Sequence, residues 1–312
     1  MDKNLALDFV RITEEAAIAS AKWLGKGDNK AADAAAVKAM RNRFNSIDFK
    51  GTVVIGEGER DEAPMLFIGE KLGTGKGPSV DIAVDPLECT NSVAFGRPNS
   101  ISVLAAAPSG TLLHAPDSYM DKIAVGPAAK GKIDLDWGVE KNIRAVAKAL
   151  NKPVEEVTVV ILERPRHEKL IKEVRNIGAR IILISDGDIS GAIAPSIPES
   201  GIDMLLGIGA APEGVISAAA LKCLGGEIQG RLMFRDENEK KRAKEMGVKD
   251  FNKKFGIDDL VKTDNCVFAA TGVSTGPFLQ GIMFSSKKAV THSIVMRSIS
   301  GTVRYIKAEH RL

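Results

Sequence analysis

The sequence is poor in several things that whole classes of protein require. No apolar stretch approaches the roughly 18 residues of a membrane span, so no membrane partner is expected. Cysteine occurs three times, at Cys89, Cys223 and Cys266, an odd number without paired spacing. That excludes a disulfide framework or a zinc knuckle and suits a reducing cytoplasm. Tyr and Trp occur twice each against 30 glycines. Aliphatic sheets under Ala-rich helices are therefore expected, not aromatic stacking platforms. Neither charge sign dominates: 43 Lys and Arg face 40 Asp and Glu. A polyanion-binding surface, and with it a nucleic-acid partner, is not expected. Met1 to Ala16 already carries Asp2, Asp8, Glu14 and Glu15, which does not read as a signal peptide. No Gly-x-x-x-x-Gly-Lys-Ser/Thr occurs; Gly73-Thr74-Gly75-Lys76-Gly77 has neither the spacing nor the terminal hydroxyl. In Gly207-Ile208-Gly209-Ala210-Ala211-Pro212 a proline replaces the last glycine of a dinucleotide loop.

What is present is an alternation of strand-like and helix-like segments. Thr52–Ile55, Val80–Val84, Ile101–Ala106, Val157–Leu162, Arg180–Ser185, Met204–Ile208 and Val267–Ala270 are short aliphatic runs that read as strands. Leu5–Trp23, Ala31–Phe44, Val139–Leu150, His167–Ile177 and Glu213–Leu224 have helical spacing, with Leu5, Phe9, Ile12, Ala16 and Ala19 on one stripe. The class is α/β or layered α+β. At ~150 residues per domain the length predicts two halves or one large domain. A composition change near Asn151–Glu156 suggests halves 1–150 and 151–312, the second opening on a βαβ unit. The charge-rich segment Arg235–Lys254 reads as a solvated helix or loop.

The informative feature is where the acids sit. Thr52–Ile55 runs into Gly56-Glu57-Gly58-Glu59-Arg60-Asp61-Glu62, and Val80–Val84 into Asp85-Pro86-Leu87-Glu88-Cys89-Thr90-Asn91. Arg180–Ser185 runs into Asp186-Gly187-Asp188, and Met204–Ile208 into Gly209-Ala210-Ala211-Pro212-Glu213-Gly214. One Asp-Gly or Glu-Gly is a turn former. Four strands ending in acids are a crevice of carboxylates, and these repel one another unless a cation sits among them. Oxygen ligands without His or Cys suggest Mg²⁺ or Mn²⁺. Pro86 is expected to end its strand and turn the chain. Asp85 and Glu88 then face one cavity with the Leu87 carbonyl, and the Thr90 hydroxyl close behind is placed to hold and help deprotonate an attacking water.

Gly56-Glu57-Gly58-Glu59-Arg60-Asp61-Glu62-Ala63-Pro64-Met65 followed by Asp85-Pro86-Leu87-Glu88-Cys89-Thr90 resembles the class II, GlpX-type fructose-1,6-bisphosphatases. The resemblance extends to Gly25-Lys26-Gly27-Asp28 with Asp33, Ser118-Tyr119-Met120, Arg164-Pro165-Arg166-His167, Asp186-Gly187-Asp188, Gly209 to Gly214 and Val295-Met296-Arg297-Ser298. It implies the α-β-α-β-α sandwich of the lithium-sensitive sugar phosphatases. It also implies metal-dependent removal of the 1-phosphate of fructose 1,6-bisphosphate, a gluconeogenic step, by a homo-oligomer, dimer or tetramer. By resemblance Asp33, Glu57, Asp85, Glu88 and Glu213 are metal carboxylates. Thr90 is catalytic, with Asp33 and Glu57 beside it. Glu88, Cys89, Thr90, Tyr119, Arg164, Pro165, Arg166, Asp186, Gly187, Asp188 and Ala210 are substrate positions. By themselves, Asp33 reads as a helix N-terminal acid and Tyr119 as a half-buried tyrosine.

The chain departs from the family at two of these positions. Cys89 and Ala210 stand where the family usually has Gly. A glycine at 89 serves either a positive φ or close phosphate approach, whereas the added methyl at Ala210 leaves a backbone N–H contact possible. Sedoheptulose 1,7-bisphosphate and an inositol phosphate are alternative substrates, and a non-catalytic sugar-phosphate sensor is the alternative if Cys89 disables Thr90. Gly272-Val273-Ser274-Thr275-Gly276 matches a nucleophile elbow, but only Glu309 and His310 follow in triad order, adjacent and at the chain end. It is expected to be a glycine-rich turn. Arg164 and Arg166, just after a strand, suit bidentate phosphate binding.

Overall fold

The computed structural model describes residues 5–58 and 64–312. Glu59 to Ala63, with the acids Glu59, Asp61 and Glu62 of the first motif, lie outside the described residues. The chain forms two compact units, Met1–Leu112 with Thr263–Leu312, and Leu113–Lys262. The first opens with α1 (Leu5–Ala21), α2 (Asn29–Phe44), β1 (Lys50–Ile55), β2 (Lys71–Leu72), β3 (Ser79–Glu88), α3 (Thr90–Ala94) and β4 (Ile101–Pro108). The second holds β5 (Tyr119–Val125), α4 (Val139–Leu150), β6 (Thr158–Leu162), α5 (Glu168–Ile177), β7 (Arg180–Ile184), α6 (Asp188–Ile193), β8 (Met204–Ala210) and α7 (Ala211–Leu224). It ends with β9 (Glu227–Met233), α8 (Glu237–Glu245), β10 (Lys254–Phe255) and α9 (Ile257–Leu260). The chain then returns to the first unit as β11 (Val267–Gly272), β12 (Met283–Ser285), β13 (Lys288–Arg297) and β14 (Thr302–Arg311).

In the first unit the strand order is β12-β13-β11-β4-β3-β1-β2, with β14 also on β13. Among the described residues, the β1–β3 pairing is the parallel one in this sheet, and the others are antiparallel. It puts the carboxyl ends of those two strands at the same edge. Helices α1 and α2 lay Phe9, Ile12, Ala16, Ala32, Met40 and Phe44 on the sheet face carrying Val53, Ile82, Val84, Leu104 and Ala269. Phe9 meets Phe49 edge-on at 5.9 Å. The α1 stripe follows the expected spacing through Ala16 and then continues on Ala17 and Ser20, leaving Ala19 half-exposed. A strict seven-residue spacing drifts around a straight helix by about 20° per repeat.

Strand β3 does not stop at Pro86. It runs on to Glu88, and its register against β4 slips between Asp85↔Val103 and Glu88↔Ile101. Three steps on β3 face two on β4, which is a bulge. Pro86 sits in it, where no ladder hydrogen bond asks for its missing N–H. The pairing with β1 has already ended at Ile55↔Ala83. The expected turn is thus a kink inside a continuing strand.

The second unit is ordered β10-β9-β5-β8-β6-β7, with β6 parallel to both β7 and β8. The βαβ unit expected after residue 156 is β6-α5-β7. The two units do not follow the division at residue 150 expected from the sequence; the chain crosses at 112–113 and returns at 262–263. Asn151, in a left-handed conformation, caps α4 within the second unit, so the composition change there is a helix stop. Each unit packs helices on a mixed sheet, which is the layered α+β class expected. Among the described residues no helix is long and apolar enough to cross a membrane.

Candidate active site

In the first unit the parallel β1 and β3 deliver Glu57 and Asp85 to one sheet edge. Glu57 follows Gly56, and its N–H donates to the Leu66 carbonyl at 3.0 Å. Asp85 stands just before the bulge, and its Oδ1 accepts from the Leu87 N–H at 3.0 Å. The bulge swings Glu88 back, so that its carboxyl oxygen and that of Asp85 lie within 4.8 Å of each other. The Glu88 carbonyl is fixed by the Ser100 hydroxyl at 2.8 Å. Asp33 reaches the same place from α2, whose start is capped by Asp28 accepting from the Ala31 N–H at 2.9 Å.

The electrostatics show how closely these acids crowd. Burial, then Asp85, push the Asp33 carboxyl up to about 6. Burial, then Asp33 and Asp85, push Glu57 up to about 8. Burial raises Asp85 as well, opposed by hydrogen bonds with Glu88 and the Leu87 N–H. A hydrogen bond between two carboxyls requires a proton between them. No cationic side chain figures among the causes at Asp33, Glu57 or Asp85. The donor set is all oxygen, and among the described residues no cation offsets the charge of Asp33, Glu57 and Asp85, which fits a hard divalent cation.

Cys89 lies between Glu88 and Thr90 with φ 68° and ψ 52°, a left-handed conformation. The chain therefore does make, with a cysteine, the turn that glycine makes most easily. The turn starts α3 at Thr90.

In the second unit the parallel β6, β7 and β8 release their carboxyl ends at one sheet edge. Arg164–Arg166 follows β6, Asp186–Asp188 follows β7, and Ala210 with Glu213 closes β8 and opens α7. Tyr119, the first residue of the antiparallel β5, pairs with Ala210. All the sequence-named residues of this unit thus gather at one end of its sheet. Arg164 Nη2 forms an ion pair with Asp186 Oδ1, and its Nη1 donates to the Ser185 carbonyl. Arg166 donates from Nε and Nη2 to the Ile208 carbonyl at 3.1 and 2.8 Å, and its guanidinium lies 4.7 Å from the Tyr119 ring centroid. Ala210 is extended, with φ −77°, so its methyl costs the backbone nothing.

Lys122 was not foreseen, nor were the roles of Gly209 and His167. Lys122, on β5, is 1% exposed; its Nζ is 2.6 Å from Asp188 Oδ2 and donates to the Ala210 carbonyl at 2.8 Å. Asp188 is thus not an open acceptor but half of a buried ion pair. A Cβ at Gly209 would stand 1.7 Å from Asp188 Oδ2, so only glycine lets that pair form. His167 bridges two strand ends: Nδ1 meets the Leu162 carbonyl at 2.7 Å and Nε2 the Ile208 N–H at 2.8 Å. The N–H at Ile208 can only donate, so Nε2 accepts and Nδ1 carries the proton. Burial, the largest cause, lowers the His167 pKa and favours this neutral ring. Alternation on Tyr119–Val125 was the available signal, since it places Lys122 on the same face as Met120 and Ala124. The elbow serine is structural: Ser274 is 6% exposed and its Oγ accepts from the Ser100 N–H at 3.0 Å.

Comparison with known proteins follows the same lines. Residues 3–310 match the family model described as bacterial fructose-1,6-bisphosphatase, glpX-encoded. The fructose-1,6-bisphosphatase 1 class 2 of Escherichia coli (strain K12) is 47% identical over 325 residues, covering 100% of this chain and 96% of that protein. The fructose-1,6-bisphosphatase class 2 of Haemophilus influenzae is 46% identical over 325 residues, covering 100% and 97%. Among solved structures an extragenic suppressor from Pyrococcus furiosus matches 62% of this chain and 70% of that one, at 14% identity and a TM-score of 0.32, too slight a likeness to carry an argument. With almost every residue inside the family model and two full-length relatives this similar, the chain belongs to the bacterial GlpX-encoded fructose-1,6-bisphosphatase family.

Proposed function

We propose that this chain hydrolyses the 1-phosphate of fructose 1,6-bisphosphate to fructose 6-phosphate and inorganic phosphate. The proposed cations are Mg²⁺ or Mn²⁺, with Asp33, Glu57, Asp85, Glu88 and Glu213 as their carboxylates. The observation that carries this reading is the crowding of Asp33, Glu57 and Asp85, each pushed up by burial and, at Asp33 and Glu57, by carboxylate neighbours. Bound cations supply neutralisation of the phosphate charge and a lowered pKa for the attacking water. Thr90 holds that water through Oγ1, at the start of α3, and hands its proton to the Asp33 carboxylate. The water oxygen bonds to phosphorus as the bond from phosphorus to the sugar O1 breaks, and O1 leaves as an alkoxide that takes a proton from solvent. Tyr119, Arg164 and Arg166 grip the phosphate that is not cleaved, while Asp186 and the Lys122–Asp188 pair border the sugar. Cys89 and Gly187 shape the turns that present their neighbours. We place the protein in the cytoplasm, where its three cysteines stay thiols, as a homo-oligomer.

Phosphate release from a panel tests this: fructose 1,6-bisphosphate, sedoheptulose 1,7-bisphosphate, an inositol monophosphate and glycerol 2-phosphate, each with Mg²⁺, Mn²⁺ or EDTA. Fructose 1,6-bisphosphate should have the highest kcat/KM. A preference for the seven-carbon bisphosphate reassigns the substrate, a preference for a monophosphate removes the bisphosphatase reading, and no release at all favours a sugar-phosphate sensor.

A further inference from the structure

We infer that Arg235 is a third cationic grip on the uncleaved phosphate, beside Arg164 and Arg166, and so strengthens the preference for a bisphosphate over a monophosphate; this rests on the proposed function. Arg235 lies between β9 and α8, in a segment whose composition reads only as solvated surface. Its guanidinium nevertheless sits 5.3 Å from the centroid of the Tyr119 ring, the same ring that Arg166 covers at 4.7 Å. The strand pairing explains the meeting, because Tyr119 lies opposite both Ala210 of β8 and Met233 of β9.

Arg235 is also held from below. Its backbone N–H donates to Glu239 Oε2 at 2.7 Å and its Nε to Glu239 Oε1. Glu239 is 2% exposed, on the first turn of α8, and its own N–H donates to the capping Asp236 at 2.9 Å. A buried carboxylate under an exposed arginine fixes the fork before any ligand arrives, which lowers the ordering cost of binding. Arg166 is fixed likewise through Nε, but by the neutral Ile208 carbonyl. The two guanidiniums converge on one ring, with the acids Glu239 and Asp117 acting on Arg235. Planar forks of this kind match phosphate oxygens.

The test compares wild type with Arg235→Ala, Arg235→Lys and Glu239→Gln. Wild-type hydrolysis of fructose 1,6-bisphosphate first checks the proposed function by itself. Calorimetric binding of fructose 6-phosphate, which keeps only the uncleaved phosphate, then reads Arg235 whether or not that substrate is right. Arg235→Ala should weaken fructose 6-phosphate roughly 10- to 100-fold, the range of a lost charge-assisted bond. Its KM for fructose 1,6-bisphosphate should rise by a similar factor with kcat little changed. The ratio of kcat/KM for that substrate to that for glycerol 2-phosphate should fall with it. Arg235→Lys should restore part of the affinity, since charge survives without the fork. Glu239→Gln should give a smaller KM increase, because Glu239 positions Arg235 and touches no substrate. Unchanged fructose 6-phosphate binding in Arg235→Ala overturns the inference. So does an equal fall in kcat/KM for both substrates, which marks a role in the fold or at the cleaved phosphate.

Discussion

The first unit gathers Asp33, Glu57, Asp85 and Glu88 with no cationic side chain behind the shifts of the first three. The second gathers Asp186, Asp188 and Glu239, each against a cation of its own: Arg164, Lys122 and Arg235. Apart from Asp33, which lies just past the first turn of α2, both sets sit at the carboxyl ends of strands or in the first turn of a helix. What separates them is who supplies the positive charge. Acids such as Asp33, Glu57 and Asp85, with no described cation against them, suit a metal ion, whereas acids that the fold pairs become brackets for arginines and a lysine. A carboxylate at a strand end is therefore only half a statement about function. The other half is the cation within 3 Å of it, or the lack of one.

The comparison breaks most sharply if the first set works without metal. EDTA should abolish phosphate release, and Mg²⁺ or Mn²⁺ should restore it. Glu57→Gln or Asp85→Asn should raise the metal concentration needed for half activity and lower kcat strongly. Full activity in excess chelator would leave the crowded carboxylates without a purpose. Next in size is Thr90. Thr90→Ala should cost roughly 10²–10⁴-fold in kcat, the scale of lost proton-transfer assistance, and Thr90→Ser should keep part of the rate. If Thr90→Ala is as active as wild type, another group holds the water.

In the second set the expected damage is to stability. Lys122→Met leaves Asp188 as a buried charge without its partner and should cost about 3–5 kcal/mol in urea unfolding. Combining it with Asp188→Leu should recover much of that loss, because the uncompensated charge goes too. If the single variant is as stable as wild type, Lys122 and Asp188 are not coupled as drawn.

Much of this is legible in the sequence itself. Glu57, Asp85, Glu88, Asp186, Asp188 and Glu213 follow from aliphatic runs that end in acids, since a strand of four to six residues and its turn are local features. Asp33 is not local: its helix meets the site only because α2 packs on the sheet that carries β3. Tyr119 was missed as a strand start because Asp121-Lys122 interrupt the apolar run, and burying a lysine requires Asp188, 66 positions along the chain. Arg235 was hidden by its neighbours. In Arg235-Asp236-Glu237-Asn238-Glu239 every side chain is polar, and nothing in that run says that Glu239 alone faces inward. The role of Pro86 was half legible: its missing N–H demands an unpaired site, which a bulge provides as well as a strand end does.

A subtler contrast lies in pH. In the folded protein Glu57 holds its proton up to about 8 and Asp33 up to about 6, above their ordinary 4.5 and 3.8. The native state therefore binds more protons than the unfolded state across that window. Stability of the metal-free protein should be highest below pH 4–5 as far as these groups decide it, and should fall as pH rises through about 8. Cations should reverse this, because they bind the ionised carboxylates. Thermal unfolding at pH 5.5 and 8 should show a larger gain from Mn²⁺ at pH 8. In Glu57→Gln the metal-free decline should flatten. An equal Mn²⁺ gain at both values, with no effect of Glu57→Gln, would mean that the acids are solvated and the crowding does not matter.

The smallest effect concerns Cys89, left-handed in its backbone and next to Glu88 of the first set. A non-glycine residue in the left-handed region costs about 1–2 kcal/mol. Cys89→Gly removes that strain but adds freedom to the unfolded chain, worth roughly 0.5–1 kcal/mol in the other direction. The net gain should be about 0.5–1 kcal/mol, read as a higher urea midpoint with unchanged slope. Cys89→Ala is the control that isolates the backbone. It removes the thiol and keeps the Cβ, so it should gain nothing. If glycine relieves Thr90 as well as the turn, kcat rises in Cys89→Gly and not in Cys89→Ala, with the metal requirement the same in both. A gain shared by Gly and Ala would put the effect on the sulfur and leave the left-handed turn blameless. A loss in both would show that the thiol itself supports the site, and that this chain has adapted its phosphate turn to cysteine.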